Sequence, residues 1–156
     1  MLLHLLRHAE AEPHRPDDFS RCLTEKGFKQ ARRVGCFMKE QCLRPEIILT
    51  SPVVRARETA EIVAKLLGKP PLTEVPWAAC GMNPEAALAE LSAYAKLDSV
   101  MIVGHEPDLS SLSASLIGLE RSESIQVSKA SLLGVNLPRI QFGSGILQYL
   151  LPVKFL

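Results

Sequence analysis

The chain has 156 residues, 47% of them hydrophobic, which suffices for one compact domain with a sizeable core and is too little for two. Lys and Arg total 18 against 17 Asp and Glu, a formal charge of +1, so the electrostatic footprint that nucleic acid demands is absent. The longest apolar runs fall far short of the ~20 residues that span a bilayer, and no basic segment precedes Leu2 as it would in an export signal; we expect a cytoplasmic chain that binds neither membrane nor nucleic acid.

Leu2 to Leu6 is a continuous apolar run, the pattern of a strand covered on both faces. His14 to Asp18, flanked by Pro13 and containing Pro16, reads as a loop. Phe28, Ala31, Gly35, Met38 and Cys42 then recur every three or four residues, which predicts a helix with these inward and Lys29, Gln30, Arg32, Arg33, Lys39 and Glu40 in water. Ile47 to Leu49 is the second strand. The helix after it has Ser51 as predicted N-cap, Pro52 at the first helical position, Ala56, Ala60, Val63 and Leu67 inward, and Gly68 and Pro70 as its stop.

A third helix starts at Asn83-Pro84, with Ala87, Leu88, Leu91 and Ala95 inward. Val100 to Val103 is the third strand. A fourth helix spans about Pro107 to Ile117 with Leu109, Leu112 and Leu116 inward, and Leu119 to Glu123 is a loop. From Ile125 onward the character changes. Leu132 to Leu137 and Ile146 to Leu151 read as strands separated by Pro138, Gly143 and Gly145, added at a sheet edge and partly antiparallel. Strands alternating with helices predict an α/β fold, a single domain over 1–156 with a mostly parallel central sheet flanked by helices. Cys22, Cys36, Cys42 and Cys80 have irregular spacing and no C-x-x-C pair, so they are expected to be buried or inert thiols rather than zinc ligands or disulfides.

The chemistry lies just past the end of each apolar run. Arg7-His8 comes after the first, Thr50-Ser51-Pro52 and then Arg55 after the second, and Gly104-His105 after the third. Open α/β sheets bind ligands outside the carboxyl ends of their strands, so Arg7, His8, Arg55 and His105 are expected on one rim. Arginine forks and a helix N-terminus favour a phosphoryl or carboxylate dianion. His4 precedes His8 by four residues, but no third ligand is suitably spaced for a metal. With a phosphoryl ligand, one histidine can attack phosphorus, and flanking cations lower its pKa while stabilising the equatorial oxygens.

Four segments in order, Leu5-Leu-Arg-His-Ala-Glu-Ala11, Leu23-Thr-Glu-Lys-Gly27, Ser51-Pro-x-x-Arg-Ala-x-x-Thr59 and Val103-Gly-His-Glu-Pro107, resemble the successive motifs of the histidine phosphatase superfamily. The short length and Gly81 to Glu85 leading into a helix resemble its SixA-type phosphohistidine phosphatase branch. The resemblance implies a phosphoglycerate mutase-like fold, a histidine phosphatase domain over 1–156, His8 as nucleophile, Arg7, Arg55 and His105 as the phosphate pocket, and neither metal nor organic cofactor. It implies hydrolysis of a phosphohistidine borne by a protein, such as a phosphorelay domain.

Two departures accompany it. Ala9 stands where the superfamily usually has glycine, and Val75 to Met82 carries no carboxyl group where larger relatives place a general acid. A phosphomonoester gains some 10²–10⁴-fold from such an acid, whereas protonated phosphohistidine leaves as neutral imidazole. Glu106 and Asp108 are the remaining candidate proton donors. The alternatives are a small-molecule phosphomonoesterase of the same superfamily and a non-catalytic phosphate-binding module.

Overall fold

The computed structural model describes residues 1–13 and 16–156; His14 and Arg15, and with them part of the expected 14–18 loop, lie outside the described residues. Among the described residues the principal elements are β1 (Leu2–Arg7), α1 (Glu25–Glu40), β2 (Ile47–Thr50), α2 (Val54–Leu66), β3 (Leu72–Glu74), α3 (Pro84–Leu91), β4 (Ser99–Gly104), α4 (Asp108–Ile117), β5 (Leu132–Asn136) and β6 (Ile146–Leu151). They build one six-stranded sheet in the order β3-β2-β4-β1-β5-β6. The first four strands of that order run parallel; β5 pairs antiparallel with β1, and β6 pairs antiparallel with β5. This is the mixed α/β architecture expected, including the antiparallel edge.

Successive strand residues point to opposite faces, and two cores result. Leu3, Leu5, Val100, Ile102, Leu133 and Val135 pack under α3 and α4 with Leu91, Leu109, Leu112 and Leu116. Leu6, Ile48, Met101, Val103 and Leu132 pack under α1 and α2 with Ala31, Val34, Met38, Ala60 and Val63. Each fully buried leucine among these contributes about 1.5–3 kcal/mol. The helices of the second layer approach closely because Gly35 lacks a side chain: a Cβ there would lie 2.6 Å from Leu66 Cδ1.

Several boundaries and faces differ from the sequence reading. In α1 the buried stripe is Gly27, Ala31, Val34, Gly35 and Met38; Phe28 is exposed and Cys42 lies beyond the helix with φ 55°. Ala31, Gly35 and Met38 are shared with the expected stripe; glycine at 27 carries no hydrophobic signal, so periodicity alone starts the stripe at Phe28 instead. α2 begins at Val54 with Val53 as N-cap, not at Ser51-Pro52, because the Ser51 N–H still continues the strand ladder to Val103 O at 3.0 Å. α3 ends at Leu91 in a short 3₁₀ turn over Ser92–Tyr94, which leaves Ala95 exposed. β3 has only three residues and an exposed pattern that no apolar run announces. All four cysteines are exposed rather than buried. Among the described residues no helix is long and apolar enough to cross a membrane.

Candidate active site

Parallel pairing puts the carboxyl ends of β1, β4 and β2 side by side, with Arg7 opposite Gly104 and Thr50 opposite Val103. The ladder runs one residue further on each side: His8 N–H donates to Gly104 O at 3.0 Å, and Ser51 N–H to Val103 O at 3.0 Å. His8, Ser51 and His105 therefore leave the sheet together. The ring centroids of His8 and His105 are 5.2 Å apart, and Arg55, on the buried face of the first turn of α2, donates from Nε to His8 Nε2 at 3.3 Å. Arg7, His8, Arg55 and His105, from three segments distant in sequence, meet at one rim.

The hydrogen bonds define the histidines. His8 Nδ1 lies 2.7 Å from the Ala9 carbonyl, an acceptor only, so Nδ1 carries the proton and Nε2 keeps its lone pair toward Arg55. His8 is 6% exposed. Burial, then His105, Arg55 and Arg7, lower its pKa to about 3, against a weaker opposing effect of the Ala9 carbonyl. His105 Nε2 lies 2.8 Å from Ser51 Oγ, which already accepts the Val53 N–H at 3.2 Å. Its Nδ1 is buried with no hydrogen-bond partner among the described residues. Burial and the charge of Arg55 lower its pKa to about 4. Both rings are neutral at pH 7.

Arg7 donates from Nη1 to Val127 O at 2.9 Å, while its Nε is buried and has no partner among the described residues. Burial lowers the Arg7 pKa, Glu106 opposes this, and Arg55 adds to it. The 126–131 segment that holds Arg7 also supports His8, through Ala130 N–H to His8 O at 3.2 Å. Ala9 keeps a negative φ, so a residue with a Cβ fits there without strain.

The two candidate proton donors are placed differently. Asp108, at the start of α4, accepts the Gly81 N–H at 2.9 Å and thereby fixes the turn after Cys80. Glu106 accepts the Ser110 hydroxyl at 2.6 Å through Oε2, and its Oε1 is buried without a partner among the described residues. Burial raises the Glu106 pKa, with Ser110 and Arg7 pulling the other way. From the 75–82 segment, the group beside Arg55 is the Cys80 thiol, 3.6 Å from Nη2. Burial raises the thiol pKa despite Arg55.

Sequence reasoning overlooked three participants. Thr59 Oγ1 accepts the Ala9 N–H at 3.1 Å. Gly27, in the Leu23 to Gly27 motif, lets α1 touch the strand exit, since a Cβ there would lie 1.9 Å from Glu10 O. Asp18 takes both Nη atoms of Arg55, at 2.8 Å through its carbonyl and 3.0 Å through its carboxylate. Thr59 and Gly27 fall inside quoted motifs, but Asp18 lies in an irregular loop where no periodicity marks it. His4 is separate from the site: it sits between Tyr149 Oη at 2.5 Å and Ser99 Oγ at 3.1 Å. Among the described residues no group of three His, Cys, Asp or Glu side chains is placed to hold a metal ion.

Comparison with known proteins places the chain in a family. The model of the histidine phosphatase superfamily (branch 1) matches residues 3–80. An uncharacterised protein of Picosynechococcus sp. is 30% identical, with 87% of this chain and 85% of that protein covered. Phosphohistidine phosphatase SixA of Escherichia coli is 30% identical, with 74% of each chain covered. The solved structure of the protein histidine phosphatase SixA complexed with tungstate superposes with a TM-score of 0.90 at 25% identity, covering 99% of this chain and 98% of that one. With the matched family model, a full-length SixA-like fold and two histidines and two arginines gathered at the strand ends, this chain belongs to the histidine phosphatase superfamily.

Proposed function

We propose that the chain is a phosphatase that removes the phosphoryl group from phosphohistidine in a protein, through a covalent intermediate on His8. The observation that carries this reading is the state of His8: proton on Nδ1, lone pair on Nε2, and a guanidinium N–H donor whose Nε is 3.3 Å from that nitrogen. Such a ring is a nucleophile at neutral pH and faces a donor for the anion it attacks. Arg7 Nε and His105 Nδ1 are buried donors with no acceptor among the described residues, suited to two further phosphoryl oxygens. Because Ser51 Oγ already receives an N–H from Val53, its own proton can go to His105 Nε2, which leaves Nδ1 as the donor.

In the first step the His8 Nε2 pair forms a bond to phosphorus and the substrate P–N bond breaks. Its electrons return to the substrate ring, which leaves as neutral imidazole if its other nitrogen is already protonated. In the second step water attacks phosphorus, the Nε2–P bond breaks, and His8 regains its starting tautomer with Nδ1 still on the Ala9 carbonyl. Neither step needs a carboxylic acid. The 75–82 segment places the Cys80 thiol, and no carboxyl group, beside Arg55, which supports P–N over P–O cleavage. The name of the SixA relative supports a protein-borne phosphohistidine, and a phosphorelay domain is the partner we propose.

A second reading rests on Glu106. Its pKa is raised by burial and its Oε1 has no partner among the described residues, which are the properties of a proton donor to an ester leaving group. The test of the first reading is rapid quench with ³²P-phosphoramidate in EDTA. We expect acid-labile, base-stable label on the peptide containing His8 and none in His8→Ala. Label on His105 would overturn the assignment, and loss of turnover in EDTA would overturn metal independence.

A further inference from the structure

Arg55 is gripped from behind. Nη1 donates to the Asp18 carbonyl at 2.8 Å and Nη2 to its carboxylate at 3.0 Å. A guanidinium offers two forked edges, Nη1 with Nη2 and Nε with Nη2. Asp18 fills the first, so the second is the edge turned to His8, with Nε 3.3 Å from Nε2. Arg55 is 4% exposed whereas the Asp18 side chain is 41% exposed; a buried cation is held by a carboxylate at the mouth.

That carboxylate is itself braced. Arg21 donates from Nε to Asp18 Oδ1 at 2.7 Å, its Nη2 lies 2.6 Å from the same oxygen, and its Nη1 donates to Glu12 O at 2.6 Å. Glu12 is fixed to the strand exit by its N–H to Cys22 O at 2.9 Å and by the neighbouring Ala11–Leu23 bridge. A continuous set of charge-assisted contacts thus runs from the Glu12 backbone through Arg21 and Asp18 to Arg55 and His8. Burying a guanidinium is costly unless it is paired, and a phosphoryl clamp must hold within about 0.5 Å of its productive place.

We propose that Asp18 is a positioning residue for phosphoryl transfer, with Arg21 as its brace: together they fix the guanidinium of Arg55 so that its second edge, Nε with Nη2, faces the phosphoryl group on His8. This rests on the reading of Arg55 as a phosphoryl-binding group. Asp18 acts on the reaction through Arg55, so its effect must vanish when Arg55 is gone.

The experiment is a double-mutant cycle on the full chain, read by calorimetric binding of tungstate and by phosphoramidate turnover, with Asp18→Asn, Arg55→Ala and the pair. Removing one charged anchor should weaken tungstate binding and kcat/KM by about tenfold in Asp18→Asn, and by less than about twofold when Arg55 is already alanine. Arg21→Ala should behave the same way with a smaller loss, and serves as the test if Asp18→Asn does not fold. Unchanged or tighter tungstate binding in Asp18→Asn would overturn the proposal. So would an undiminished tenfold loss in the Arg55→Ala background, which would mark a merely structural role. If the wild type binds tungstate but turns over no phosphoryl substrate, the proposed function fails while the binding cycle still decides Asp18.

Discussion

Thr59 and Ala9, fifty residues apart, are joined by a buried hydrogen bond: Thr59 Oγ1 accepts the Ala9 N–H at 3.1 Å. The same hydroxyl donates to Arg55 O at 2.7 Å, one turn back along α2. The residue after His8 and the backbone that carries Arg55 are therefore set by a single side chain. Thr59→Val keeps the shape and removes both bonds, leaving a buried N–H unpaired at a cost of about 1–3 kcal/mol. We expect that loss in urea unfolding together with a fall in kcat/KM, and near wild-type behaviour in Thr59→Ser. A valine variant as stable as wild type would show that Ala9 finds another acceptor.

Acid should weaken the fold through its buried histidines. His4, fully buried, has its pKa lowered by burial from 6.5 to about 4; burial acts in the same direction on His8 and His105. Between the folded and unfolded values the unfolded chain binds more protons, so stability is greatest above about pH 6.5 and falls as pH drops toward 4. One such histidine contributes a slope of at most about 1.4 kcal/mol per pH unit. Urea midpoints at pH 7.5, 6.5, 5.5 and 4.5 should fall progressively. The fall should be shallower in His4→Asn, and an identical slope would show that His4 is protonated in the fold.

Much of this arrangement is legible in the sequence, for specific reasons. β1, β2 and β4 are covered on both faces, so their unbroken apolar runs stand out, and the polar residues directly after them mark the rim. β3 escapes because Thr73 and Glu74 are exposed and only Leu72 carries a hydrophobic signal. The start of α2 misleads because Ser51 and Pro52 have the right identities for a cap, yet the strand ladder holds the Ser51 backbone, and its hydroxyl meets His105 as well as the Val53 N–H. Asp18 is invisible to any periodicity: a tertiary contact across 37 residues gives it its place.

Arg55 and Arg57 should differ sharply despite lying two residues apart. Arg55 is buried against His8, whereas Arg57 is on the outer face with Glu61 at 3.8 Å and Glu74 at 3.6 Å. Exposed pairs of this kind contribute about 0–1 kcal/mol. Arg55→Ala should lower kcat/KM by about 1.5–3 kcal/mol of transition-state stabilisation, and Arg57→Ala should leave it nearly unchanged. Equal losses would place the phosphoryl group on the wrong side of α2.

The proton donor is decided by how rate depends on the leaving group. If no carboxyl group protonates the departing atom, kcat/KM should fall steeply from phosphoramidate and activated aryl phosphates to alkyl phosphates, because each poorer leaving group must depart with its full negative charge. A working acid flattens that dependence and contributes some 10²–10⁴-fold to the poorest leaving groups. Glu106 is the residue to vary, since its Oε1 has no partner among the described residues and burial raises its pKa; Asp108 is already committed to the Gly81 N–H. Glu106→Gln preserves the Ser110 contact and removes the acid. On the P–N reading its slope across a graded aryl series matches that of the wild type, and both are steep. A shallow wild-type slope that steepens in Glu106→Gln would make Glu106 the acid and turn the chain into a phosphomonoesterase. The same change with Asp108→Asn would trace the proton to the Gly81 turn instead.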